Sequence, residues 1–135
     1  MTHRQDEGQD EVMAAADRLI AAFGRHDVRD YFACFAPEAS FIFYNLDRTL
    51  KNRTEYEAEW ALWESRDGFR VLGCRSIDRT VQMAGDTAIF THTVETDVAF
   101  ADQTATNHER ETIVFARHAD GQWLAIHEHL SAKPA

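Results

Sequence analysis

Apolar positions recur with helical spacing from Asp10, where Val12, Ala16, Leu19, Ile20 and Phe23 fall on one face and Gly24 stands ready to end the helix. A second, shorter helix fits Asp27 to Ala36, with Asp27 as N-cap and Tyr31, Phe32 and Phe35 as its buried side. Pro37 disfavours helical geometry in Ala36 and stops it there. The aromatic and β-branched run from Ala39 to Asn45 reads as a strand. Thr54 and Glu57 have capping-box spacing and open a third helix, along which Tyr56, Trp60 and Trp63 form one aromatic stripe before Asp67-Gly68. Four strands follow, over Phe69 to Met83, Thr87 to Phe100, Thr106 to His118 and Gln122 to Ser131. The turn signals Ala84-Gly85-Asp86, Ala101-Asp102-Gln103 and Ala119-Asp120-Gly121 separate them. This order predicts an α+β fold in which three N-terminal helices pack on a mostly antiparallel sheet. Residues 1–9 show no apolar periodicity and read as a frayed, disordered leader, 10–131 as one domain and 132–135 as a tail.

The late strands are apolar on both sides. In Glu111 to Ala116, Thr112 and Val114 lie on one face while Ile113 and Phe115 lie on the other. A sheet with one wet face alternates apolar with polar residues, so both faces are expected to be covered. The helices cover one, and a second copy of the chain in an isologous homodimer covers the other.

Composition narrows the partners. The chain has 135 residues, enough for one domain, with 44% hydrophobic and 27% charged residues. Fourteen basic against twenty-three acidic residues give a net charge of −9, which argues against nucleic acid or an anionic membrane as partner. No apolar stretch approaches the ~20 residues of a membrane span, and the polar, acidic beginning is unlike a secretory signal. Cys34 and Cys74 form no CxxC pair and read as free thiols in a reducing cytoplasm.

The candidate chemistry sits on the late strands. Strict alternation puts Trp123, His127 and His129 on one face of the last strand, with Leu124, Ile126 and Glu128 on the other. Two imidazoles ~7 Å apart suit acid and base work, a polar ligand, a metal, or a structural hydrogen-bonded pair. One strand earlier, Arg110 groups with Thr112 and Val114, away from Glu109 and Glu111. A buried arginine requires a carboxylate, from a ligand or from an ion pair, because it cannot lose its proton. His92 is a third candidate, structural or catalytic. Tyr44, Trp60 and Trp63 supply apolar walls for a cavity between helices and sheet, or plain core. His127-x-His129 with His92 makes a three-ligand metal set without an evident fourth ligand, so no metal and no cofactor are expected. No GxGxxG, P-loop, GxSxG or HExxH pattern occurs.

Gly85-Asp86-Thr87-Ala88, Arg110-x-Thr112 and the ending Asp120-Gly121-Gln122-Trp123 to His127-x-His129-x-Ser131, on this element order, resemble the nuclear transport factor 2-like superfamily. The nearest resemblance within it is to small bacterial SnoaL-like proteins, relatives of polyketide cyclases, ketosteroid isomerase and the association domain of calcium/calmodulin-dependent kinase II. The resemblance spans roughly residues 10–131 and implies a cone-shaped α+β barrel dimerising through the outer face of its sheet. It implies a cofactor-independent lyase, isomerase or cyclase acting next to a carbonyl, or else a non-catalytic ligand-binding or oligomerisation module. In the catalytic version His127 or His129 is the base, the other histidine or His92 the acid, and Tyr44 and Arg110 polarise the oxygen. Arg110, Thr112, Tyr44, Trp60 and Trp63 are then expected to hold a small molecule with a carbonyl or carboxylate, and Glu111 and Glu128 to lie on the opposite face.

Overall fold

The computed structural model describes residues 2–134, with side chains from Glu7 onward, so Met1 of the expected leader and Ala135 of the expected tail lie outside the described residues. The elements are α1 (Thr2–Gly24), α2 (Val28–Ala33), β1 (Phe35–Phe43), α3 (Arg53–Asp67), β2 (Arg70–Ala84), β3 (Thr87–Phe100), β4 (Gln103–Arg117) and β5 (Trp123–Ala132). The strands form one curved, unclosed sheet in the order β1-β5-β4-β3-β2, with β1 parallel to β5 and every other pair antiparallel. Val12, Ala15, Ala16, Leu19 and Ala22 are the buried stripe of α1, and they meet the inner sheet face through Phe41, Phe90, Ile113 and Phe115.

Several boundaries differ from the sequence reading. Helix α1 starts at Thr2, so residues expected as a leader continue the helix instead. Gly8 sits so close to the β2 strand that a Cβ there would lie 2.8 Å from Met83 Cε, which docks this first half against the sheet. The second helix ends at Ala33, and β1 begins at Phe35 and runs through Pro37. A proline is tolerated there because β1 is an edge strand, with a register irregularity between Phe35 and Ser40. The cap of α3 lies two residues earlier than Thr54. Asn52 Oδ1 accepts the Glu55 amide at 2.9 Å, while Glu55 Oε1 accepts the Lys51 amide at 2.9 Å. Asp27 does cap α2, accepting the Asp30 amide at 3.1 Å, and Gly68 closes α3 in the left-handed conformation at φ 65°.

The feature that decides the interior is a bulge in β5. Val114 pairs with His127 and Phe115 with Ala125, leaving Ile126 as the extra residue. Before it Trp123 and Ala125 are buried inward; after it Glu128 is buried and Leu130 packs on the core. The single inserted residue therefore separates Trp123 from His127 and His129, which alternation alone would have placed on one face.

Candidate functional site

A cavity of about 570 Å³ lies between the inner sheet face and the helices. Tyr31 of α2 and Tyr56, Trp60 and Trp63 of α3 supply one side of it, and the sheet supplies His92, Glu109, Glu111 and Glu128 on the other. The aromatic side is a continuous cluster, in which Tyr31 lies 5.4 Å from Trp60 and Trp60 6.4 Å from Trp63, centroid to centroid.

The polar groups are linked in a row across the strands. Ser76 Oγ lies 2.6 Å from His92 Nδ1, and His92 Nε2 lies 2.7 Å from Glu111 Oε1. His92 and Glu111 are directly opposed in the β3–β4 ladder, which gives two long side chains on one face this close approach. Glu128 opposes Ile113, one inward position further along, and lines the cavity beside Glu111 and Tyr31. The Tyr31 and Tyr56 hydroxyls then meet at 2.9 Å. Glu109 stands apart from this row, with Tyr44 Oη donating to its Oε2 at 2.5 Å.

Burial sets the protonation of these groups. The Glu128 carboxyl is pushed well above the usual carboxylate range, first by burial and then by the Glu111 charge and the hydrogen bond shared with it. Two carboxyls close together inside a cavity cannot both ionise cheaply, so Glu128 keeps its proton to higher pH than an ordinary carboxyl. With its proton retained, Glu128 is the carboxyl able to donate. Burial likewise raises both tyrosines far beyond titration at neutral pH, so their hydroxyls are donors too. Glu109 is raised by burial, partly offset by the Tyr44 hydrogen bond, and Tyr44 itself is pushed up to about 12 by burial and by Glu109.

A sequence model of the SnoaL-like domain matches residues 12–135. The chain belongs to the SnoaL-like family. Solved structures similar to this SnoaL-like chain include a putative dehydratase from the nuclear transport factor 2-like family of Streptomyces avermitilis, 22% identical, with 97% of this chain and 99% of that one covered at a TM-score of 0.76. A ketosteroid isomerase-like protein from Erwinia carotovora atroseptica is 16% identical over 93% and 96% of the two chains, with a TM-score of 0.78. A putative calcium/calmodulin-dependent protein kinase II association domain from Xanthomonas campestris is 21% identical over 92% and 86%, with a TM-score of 0.74. At these identities the likeness shows the fold, the nuclear transport factor 2-like cone, and not an activity. Among curated proteins none matches the sequence.

The SnoaL-like chain divides the residues singled out in its sequence between two faces. Trp60, Trp63 and His92 line the cavity, and Tyr44, half exposed at its edge, reaches it through Glu109. Arg110, Thr112 and His129 line a second hollow of about 410 Å³ with Ser131, which His92 and Glu111 also border. They alternate with the inward glutamates and face out of the barrel. His127 is also outside, its Nδ1 2.8 Å from Ser40 Oγ and its ring 6.3 Å from that of His129. Burial and the neighbouring His129 push the His127 imidazole below its usual value. The expected single site of three histidines, Arg110 and aromatics is therefore not assembled, and the three histidines do not converge as metal ligands. Glu111 and Glu128 do lie opposite Arg110, but the cavity is on their side.

The residues the sequence reading passed over are Glu109, Glu111, Glu128, Tyr31, Tyr56 and Ser76. One signal was present for the glutamates: Glu109 and Glu111 share parity with Ile113 and Phe115, the bulkiest apolar residues of β4.

No helix among the described residues is long and apolar enough to cross a membrane.

Proposed function

We propose that the cavity binds a partly apolar small molecule bearing a carbonyl, and that Glu111 and Glu128 move a proton at the carbon beside it. The observation that supports this reading is two carboxyls lining one cavity, Glu111 bonded to His92 and Glu128 buried with its carboxyl held well above the usual carboxylate range. The Glu111 carboxylate removes the proton from the carbon next to the carbonyl. Glu128 gives its own proton to the carbonyl oxygen, and the neutral enol forms while the pair still holds one proton. Tyr31 donates toward the Glu128 carboxylate that results, and His92 holds Glu111 in place. Return of the proton to another carbon is an isomerisation, loss of a β-hydroxyl a dehydration, and attack of the enol on a second carbonyl a cyclisation. The carboxylate-bearing ligand expected from the sequence is not carried forward, because Arg110, the group meant to attract it, faces the other way.

The test is proton exchange. Simple aryl methyl ketones incubated in heavy water with the protein should lose their methyl proton signal in NMR faster than in buffer, and Glu111→Gln should return the rate to that of buffer. Binding of the ketones with no exchange above buffer would leave a non-catalytic ligand-binding module as the reading.

The outer sheet face supports a homodimer as the physical state. Ile42 and Ile77 are exposed on it, and Ile89, Val114 and Ile126 are only partly covered. Sedimentation at micromolar concentration should give twice the chain mass; a monomer would remove this proposal. Two free cysteines, both half-buried and with thiols raised by burial, fit a reducing cytoplasm as its location.

A further inference from the structure

Two carboxyls of the cavity take no part in the proton exchange proposed for Glu111 and Glu128. They are Glu109 on β4 and Glu59 on α3, which reach the cavity from opposite layers and are each only 7% exposed. Each is half-partnered. Tyr44 occupies Glu109 Oε2, and the Arg48 guanidinium donates to Glu59 Oε1 at 2.8 Å. Among the described residues no donor is bonded to Glu109 Oε1 or Glu59 Oε2. Neither oxygen is sealed away, since among the described residues the only fully enclosed side-chain polar atom without a partner is Arg79 Nε. A side chain more than nine-tenths buried that lines an aromatic-walled cavity, with one oxygen held and the other without a donor, is able to accept a hydrogen bond from an occupant.

The charge around the cavity says which occupant. The cationic side chains lining it are Arg48 and Arg66, and both are engaged, with Glu59 and with Asp67. An anion entering would meet Glu59, Glu109 and Glu111 with no uncommitted cation to receive it. A neutral group can satisfy one open oxygen but leaves the negative charge where it is. A protonated amine supplies N–H donors for charge-assisted bonds and neutralises that charge, with Tyr56, Trp60 and Trp63 close by as π faces. We propose that the ligand of this cavity carries a protonated amine beside its apolar, carbonyl-bearing part, and that Glu109, held by Tyr44 and assisted by Glu59 from α3, receives it. The proposal rests on the cavity being a small-molecule site, as in the proposed function, and adds the ligand class.

Three rigid aryl ketones that differ in one group make the test: 4-(aminomethyl)acetophenone, 4-(hydroxymethyl)acetophenone and 4-acetylbenzoate, titrated calorimetrically against the full chain at pH 7. The amine should bind at least tenfold more tightly than the alcohol, and the carboxylate more weakly than either. Glu109→Gln should remove most of the amine's advantage while changing the alcohol's affinity by less than about twofold. Should that variant fail to fold, judged by circular dichroism, Glu59→Gln carries the same comparison and should lower the advantage by at least threefold. Equal binding of amine and alcohol, tighter binding of the carboxylate, or no binding by any of the three overturns the proposal. Methyl proton exchange on the same ketones is read separately. Exchange on the alcohol without an amine preference overturns only the amine assignment, and an amine preference without exchange overturns only the proton-transfer reading.

Discussion

His92 and Glu111 face each other directly across the β3–β4 ladder, with Nε2 and Oε1 2.7 Å apart, and the His92 side chain is fully shielded from solvent. Ser76 at Nδ1 fixes the other side of the ring, so the imidazole has no freedom to turn away from Glu111. Replacing His92 by Phe keeps the ring volume and deletes both hydrogen bonds, leaving Glu111 without its donor beside a second carboxyl. The expected cost is about 1–3 kcal/mol in chemical denaturation at pH 7. Ser76→Ala, which removes one neutral hydrogen bond, should cost only about 0.5–1.5 kcal/mol.

Glu128 makes stability depend on pH in an unusual direction. Its carboxyl titrates well above the ordinary 4.5 in the folded chain, so the folded state holds a proton that the unfolded chain releases. The stabilisation from this group is complete below about 4.5 and is lost as pH rises through the raised folded value, at about 1.4 kcal/mol per pH unit within that window. Glu128→Gln keeps a neutral group of the same shape and has no proton to lose. Thermal melts from pH 5 to 9 should therefore show the wild type losing ground to Glu128→Gln as the solution becomes alkaline. Parallel curves would mean that Glu128 is not held protonated.

The bulge at Ile126 is what turns Glu128 inward and His127 and His129 outward. Deleting Ile126 restores strict alternation through β5 and forces one half of the strand to present the wrong face. The melt of the deletion variant should lose its cooperative transition, whereas Ile126→Val should lie within about 1.5 kcal/mol of wild type. A deletion variant that melts as cooperatively as wild type would show that the register is not pinned there.

That same residue explains how far the sequence was readable. Most turns and the order of elements depend on local chemistry, and Asp27 and Gly68 carry it in plain view. Parity within β4 was also legible: Arg110 and Thr112 do lie opposite Glu109 and Glu111. Which of the two sets faces the helices depends on covering layers and on one unpaired residue in β5, and neither has a local signature. Charge pulled the reading the wrong way, because glutamates are rarely buried and the arginine and histidines looked like a site. The pairing of glutamates with His92, Tyr31 and Tyr44 that makes their burial tolerable comes from residues 19 to 97 positions away in the chain, or across a strand ladder, and is visible only once the fold is assembled.

The aromatic wall is as much core as cavity. Trp60 is 2% exposed, lies among Tyr31, Phe32, Tyr56 and Phe69, and donates its indole N–H to Glu64 at 3.1 Å. Trp60→Ala should cost about 3–5 kcal/mol. Trp63, at the outer part of the same wall, should cost distinctly less on truncation and act mainly on ligand affinity, which urea denaturation and calorimetry together would separate.

The outward position of Arg110 gives a further contrast. It is exposed and makes no ion pair among the described residues. Arg110→Met should leave the affinity of any ketone for the cavity within about twofold of wild type, as calorimetry would read it. A large loss of affinity would place Arg110 in the site after all.

The central claim is that the buried Glu128 carboxyl keeps its proton to a pH well above the ordinary carboxylate range. The direct measurement is a carbon-13 NMR titration of the glutamate side-chain carboxyls, with the two resonances assigned from Glu111→Gln and Glu128→Gln. The Glu128 carboxyl is expected to keep the chemical shift of the protonated acid well above pH 4.5 and to move only at more alkaline pH. A Glu128 resonance that titrates near 4.5 with the surface glutamates would contradict it.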